Sequence, residues 1–222
     1  KRNRELTRDS FNEKYIECLR KDLTIIEFLC KRWNAYSYDP KLEAFKKCLT
    51  GVLFDKQRNP AQKLVIFSEA IDTVDNIKLA VETTNPSLRV LTVKASNRDD
   101  LEQTIQENFD ANYKGTWKDD YQVIIATEVL AEGINLHRAN CILNYDAPWN
   151  ATRLMQRIGR VNRIGSTADT VYVYNFMPSA QGDAQIQLVQ KAYTKLQSFH
   201  TLFGEDSQVF TSDEEVMHYD LR

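Results

Sequence analysis

The run Leu64-Val65-Ile66-Phe67-Ser68 places four apolar residues side by side and closes on a small polar one. It shows none of the alternation of a half-solvated strand, so both faces are expected to be covered, as in a parallel sheet. Four similar runs follow: Arg89-Val90-Leu91-Thr92-Val93, Gln122-Val123-Ile124-Ile125-Ala126, Asn140-Cys141-Ile142-Leu143-Asn144-Tyr145 and Val171-Tyr172-Val173-Tyr174-Asn175-Phe176. Helical patterns separate them at residues 71–81, 99–109 and 151–162, and a last one covers 184–203. The helix at 99 opens on acidic residues, which its dipole favours. Alternating strands and helices predict an α/β domain with a mostly parallel sheet. Ligand sites in such domains gather at the carboxyl ends of the strands.

Upstream of this domain, residues 5–50 read as helical. The first stretch lacks Pro and Gly and repeats Tyr15, Cys18, Leu19, Leu23, Ile26 and Cys30 at helical intervals. Asp39-Pro40 starts a second helix and Gly51 stops it. The expected division is a helical arm or linker at 1–58, the sheet domain at 59–205 and an acidic tail at 206–222. The arm serves as a linker or a partner-binding surface, with packing on its own domain as the default.

The chain has 222 residues, 42% hydrophobic and 27% charged, which is ordinary globular material. A net charge of −2 gives no global basic footprint, so any nucleic-acid contact must come from a local patch. The four cysteines form no Cys-x-x-Cys pair, and none of the three histidines lies near one at ligand spacing. A metal site is not expected, and the thiols read as reduced and packed, in keeping with a cytoplasmic or nucleoid-associated protein. No apolar run approaches the ~20 residues of a membrane helix, and none follows Lys1-Arg2-Asn3-Arg4-Glu5 as a signal peptide would require. That start, without methionine, is expected to lie inside a longer polypeptide.

The chemistry-bearing residues cluster after the strands. Ser68 follows the first run. After the third comes Ala126-Thr127-Glu128-Val129-Leu130-Ala131-Glu132-Gly133-Ile134-Asn135-Leu136, with a hydroxyl, a flexible backbone point and an amide. After the fourth, Asn144-Tyr145-Asp146-Ala147-Pro148-Trp149-Asn150 leads into Gln156-Arg157-Ile158-Gly159-Arg160-Val161-Asn162-Arg163-Ile164-Gly165. As a helix this last stretch puts Gln156, Arg160 and Arg163 on one face, flanked by Arg153 and Arg157, with Leu154, Ile158 and Val161 toward a core. Guanidinium groups in one arc suit phosphate oxygens, although the spacing also fits a solvated basic face. Likewise Thr127 could cap a short helix, Gly133 could only turn the chain, and Trp149 could be core. Asn150 is a candidate N-cap.

In this order the segments resemble the second RecA-like domain of superfamily 2 helicases, over residues 60–180. The Trp149-Asn150 pair, Gly133-Ile134-Asn135-Leu136 and the Arg163-Ile164-Gly165 ending are most like the Swi/Snf-related ATPase group. Two positions depart: Glu132 stands where that group has glycine, and Glu69 where Gln or Asn is usual. The resemblance implies a three-layer αβα RecA-like domain. It implies that residues 126–136 act as motif V, with Thr127 on the nucleic-acid backbone and Gly133 and Asn135 coupled to the nucleotide. Residues 156–163 would be motif VI, with Arg160 and Arg163 reaching the ATP phosphates and Gln156 ordering that site. Ser68, Trp149, Asn150, Arg153 and Arg157 are expected at the nucleic acid, read as double-stranded DNA. The chain contains no Gly-x-x-x-x-Gly-Lys-Ser/Thr loop and no Walker B acid after a strand. ATP and Mg2+ would therefore be held mainly by an upstream RecA-like domain of the same polypeptide, and this chain alone is expected to be inactive. The competing expectation is a non-catalytic nucleic-acid-binding or adaptor module on the same fold. A self-contained nucleotide enzyme lacks its glycine-rich phosphate loop.

Overall fold

The computed structural model describes residues 12–127, 130, 133–148, 151–177 and 179. The helix expected over 184–203, the acidic tail, Trp149 and Asn150 lie outside the described residues. The chain divides into two compact units, Lys1–Pro40 and Lys41–Arg222.

In the first unit, α1 (Glu13–Asn34) is capped by Asn12, whose side-chain oxygen accepts from the Lys14 amide at 2.9 Å. Lys31 and Arg32 occupy its last turn, where the dipole favours cations. Tyr15, Leu19, Leu23 and Ile26 are half-exposed along it.

α2 (Pro40–Leu49) starts at the junction and belongs to the second unit from Lys41 on; Pro40 sits in its first turn, where the missing N–H costs no hydrogen bond. Phe45 and Leu49, with Leu53 from a 3-10 turn (Val52–Phe54), are fully buried in the same cluster as Leu64 and Ile66 of the sheet. This corrects the expected boundary at residue 58: α2 belongs to the sheet domain, because its apolar face is one of the layers covering that sheet.

Five strands, β1 (Leu64–Phe67), β2 (Val90–Val93), β3 (Val123–Ala126), β4 (Cys141–Asn144) and β5 (Tyr172–Asn175), form a wholly parallel sheet in the order β2-β3-β1-β4-β5. Between them run α3 (Ile71–Thr84), α4 (Arg98–Phe109) and α5 (Ala151–Val161). Side chains alternate across the sheet. Leu64, Ile66, Val123 and Ile125 face α2 and α3, whereas Val65, Phe67, Ile124 and Ala126 face α4 and α5. The result is the three-layer αβα architecture. The register aligns Phe67 with both Ala126 and Asn144, and Asn144 with Asn175. The residues that leave β1, β3 and β4 (Ser68, Thr127 and Tyr145) therefore emerge together along one edge.

Candidate functional site

That edge carries two polar arrangements, and a third lies toward the other end of the sheet, where α4 and α5 finish and the strands begin. The first is built on Asp146, two residues past β4. Its Oδ2 accepts from the Ser68 hydroxyl at 2.7 Å and the Glu69 amide at 3.0 Å, while its Oδ1 accepts from Lys41 Nζ at 2.7 Å. Burial pushes the carboxyl upward, but the Lys41 ammonium, the Ser68 hydroxyl and the Glu69 amide outweigh it and hold it below the ordinary range. The Lys41 ammonium also lies 4.2 Å from the centre of the Tyr145 ring. Ser68 was expected at the nucleic acid. It is instead fully buried with its hydroxyl committed to Asp146, so it shapes the edge from beneath.

The second arrangement is Arg157. It was expected to flank the exposed arginines, and the structure corrects this: the residue is fully buried. Its Nη1 donates to Asn144 Oδ1 at 2.8 Å and to the Asp146 carbonyl at 3.2 Å, and its guanidinium lies 5.0 Å over the Phe67 ring. Asn144 in turn donates from Nδ2 to Asn175 Oδ1 at 2.8 Å, joining the ends of β4 and β5. The reason is helical periodicity. Arg157 lies three residues after Leu154 and four before Val161, on the same inward face as those buried side chains.

The third arrangement joins residues 133–137 to the end of α5. Gln156, Arg153 and Arg163 are exposed and Arg160 is half-buried, so the basic face is present without Arg157. The last carbonyls of a helix lack intrahelical partners. Here the Leu136 amide donates to the Arg160 carbonyl at 2.8 Å, and Arg163 Nε donates to the Gly159 carbonyl at 2.9 Å. Arg163 Nη1 donates to Asn135 Oδ1. Asn135 Nδ2 donates to Asp110 Oδ2 at 3.2 Å. Gly133 has φ +76, a backbone conformation that favours glycine; a Cβ there would stand 2.9 Å from the flexible tip of Arg98, at Nη2. His137 is fully buried, with Nδ1 3.6 Å from Asp110 Oδ1. Burial pushes its imidazole pKa down, Asp110 opposes this and Arg163 reinforces it. Thr127 is half-buried just past β3.

The structure thus brings Asn135 and Arg163 into contact, sets Gly133 two residues from Asn135, and places Ser68 and Arg157 inside. Asp146, Asp110 and Asn144 are site-building residues that the sequence reading did not single out. Not every buried cation belongs to this edge. Lys63, which precedes β1, donates to the Tyr121 carbonyl at 2.9 Å and pairs with Asp119 at 3.0 Å, and Arg138 shares Asp119 at 2.7 Å. These two brace the end of the sheet where the strands begin, beside the third arrangement. Among the described residues no three His, Cys, Asp or Glu side chains converge as a metal site would require.

Comparison with known proteins adds the family. The model of the helicase conserved C-terminal domain matches residues 40–165. An uncharacterised ATP-dependent helicase of Bacillus subtilis (strain 168), YqhH, is 39% identical over 98 residues, 44% of this chain and 17% of that protein. DEAD-box ATP-dependent RNA helicase 15 of Arabidopsis thaliana is 26% identical over 132 residues, 59% of this chain and 28% of that one. The chain therefore spans only a minor part of these relatives' length. Among solved structures, the C-terminal part of the Fun30 ATPase domain superposes with a TM-score of 0.50 at 19% identity, covering 84% of this chain and 67% of that one. The matched residues take in α2, the first four strands and the whole of α5, and the chain belongs to the helicase conserved C-terminal domain family, with the RecA-like fold of the second lobe of superfamily 2 helicases.

Proposed function

We propose that this chain closes the ATP site of a Swi/Snf-related, nucleic-acid-dependent ATPase. Arg160 and Arg163 meet the nucleotide phosphates, and the strand-end edge forms half of the nucleic-acid groove. The observation that carries the reading is the exposed Arg163 guanidinium, held by Gly159 and Asn135 at the end of α5. A cation fixed in direction before its ligand arrives stabilises charge that develops on a transferring phosphoryl group. These residues fit the triphosphate of ATP. Mg2+ and the Walker loops are assigned to an upstream RecA-like lobe. ATP bound between the lobes supplies the phosphoryl group whose hydrolysis drives movement along nucleic acid.

Gln156 lies on the same exposed face and orders the nucleotide side of the helix. Thr127, Arg153, Trp149 and Asn150 are assigned to the phosphate backbone of the nucleic acid, and Gly133 lets the motif V chain approach closely. Double-stranded DNA is the proposed substrate, from the Swi/Snf likeness; one of the relatives is named as an RNA helicase. Backbone contacts of this kind give binding that falls steeply with salt and ignores base sequence.

The test uses the polypeptide that carries both lobes. Arg160→Ala and Arg163→Ala should each lower nucleic-acid-stimulated ATP hydrolysis by about 10³-fold or more while DNA binding is retained. Unchanged hydrolysis would instead favour an adaptor module on the same fold.

A further inference from the structure

Asp110 is the residue that ends α4, and its surroundings fix it on three sides. Its amide donates to the Gln106 carbonyl at 3.1 Å, and its Oδ1 accepts from the Asn112 amide at 2.8 Å. Immediately before it, the Phe109 carbonyl accepts from the Arg138 amide at 3.0 Å, tying the end of α4 to the segment that follows Asn135. The carboxylate is left with one oxygen facing Asn135 Nδ2 and the other facing the buried His137.

We propose that Asp110 is a positioning residue for ATP hydrolysis, acting through Asn135 to set the direction of the Arg163 guanidinium. The inference rests on the reading of Arg163 as the arginine that meets the phosphates. An ionised carboxylate only accepts hydrogen bonds and a guanidinium only donates them. An amide between the two is satisfied in one orientation: NH2 toward Asp110, carbonyl toward Arg163. The reversed amide would set its NH2 against the guanidinium N–H groups and its oxygen against the carboxylate. Asp110 therefore fixes the polarity of the Asn135 amide, and the amide gives Arg163 an acceptor in one direction only. With Nε on the Gly159 carbonyl and Nη1 on Asn135, the plane of the guanidinium is determined. Among the described residues Nη2 takes no bond, and it is the edge presented to a phosphate oxygen. The relay joins α4 to motifs V and VI through one side chain from each. It also spares Arg163 a direct carboxylate partner, which would compete with phosphate for the same donors.

Steady-state ATP hydrolysis by the full-length protein, stimulated by DNA, tests this. Asp110→Ala should lower kcat by about 10- to 100-fold, the scale of a misdirected catalytic group, and leave the KM for ATP nearly unchanged, as loss of a transition-state contact does. Asp110→Asn has one oxygen for two donors, the Asn112 amide and Asn135 Nδ2, and no longer dictates the orientation of the Asn135 amide, so it should recover only part of the rate. The double variant Asp110→Ala/Arg163→Ala should be no slower than Arg163→Ala, because both changes cut one chain of action. Asp110→Ser replaces the alanine variant if that fails to fold: its hydroxyl can still serve the Asn112 amide but is too short for Asn135. Wild-type kcat in the alanine or serine variant, or losses that multiply in the double variant, overturn the relay and leave the role of Arg163 standing. Normal hydrolysis by Arg163→Ala removes that role, and the relay with it.

Discussion

The Leu136 amide donates to the Arg160 carbonyl at 2.8 Å, so the segment after β3 and the last turn of α5 share a hydrogen bond. A loop held this way opens only when the helix end does. In hydrogen exchange, the Leu136 amide should be protected to the same degree as the amides of the last turn of α5. Rapid exchange at Leu136 beside a protected α5 would show that the two segments move independently.

Arg157 and Arg153 separate structural from surface arginine on one helix. Arg157→Ala leaves Asn144 Oδ1 and the Asp146 carbonyl without their donor and empties the space above Phe67. The expected loss is about 2–4 kcal/mol, a fall in Tm of roughly 10 °C for a domain of this size. Arg153→Ala removes an exposed side chain and should stay within about 0.5 kcal/mol. Equal melting of the two variants would mean that Arg157 carries no structural role.

Asp146 makes stability depend on acid pH. Its carboxyl pKa in the folded chain lies below the ordinary value, which for an unfolded aspartate is about 3.9. The charged form is therefore favoured by folding. Its contribution is present above the unfolded value and is lost as pH falls through the folded one. Thermal melts should show the wild type losing more stability than Asp146→Asn between neutral pH and pH ~3. Parallel curves for the two proteins would remove Asp146 from the account.

The cysteines should react in two classes. Cys18 and Cys30 are exposed, whereas Cys141 is fully buried in β4, and burial pushes its thiol up to about 12. The thiolate is the reactive form. Alkylation of the native protein at pH 8 should label Cys18 and Cys30 and spare Cys141 until denaturant is added. Labelling of Cys141 at the rate of Cys18 would contradict its place in the core.

The fold was largely legible because burial on both sheet faces leaves an unbroken apolar run. Leu64–Phe67 and Val123–Ala126 are such runs, and both strands lie where the pattern places them. The inward turn of Arg157 was legible too, since the 3.6-residue period assigns it to the face of Leu154 and Val161. Periodicity stops short of α2, whose apolar face gives no sign of which unit it covers; only Phe45 and Leu49 beside Leu64 and Ile66 decide it. The candidate site was half legible. Gly133, Asn135, Arg160 and Arg163 stand out through local composition. Asp146 with Ser68, 78 positions apart in the chain, and Asp110 with Asn135, 25 apart, do not. Such pairings depend on which strands become neighbours, and no local period encodes that.

Lys41 stands at the head of α2, yet its ammonium is anchored on Asp146, whose other oxygen holds the tip of β1. The first turn of α2 is thus joined to the ends of β1 and β4 by side chains, in addition to the apolar anchorage of Phe45 and Leu49 beneath it, so the start of this unit and the tips of its central strands are built as one piece.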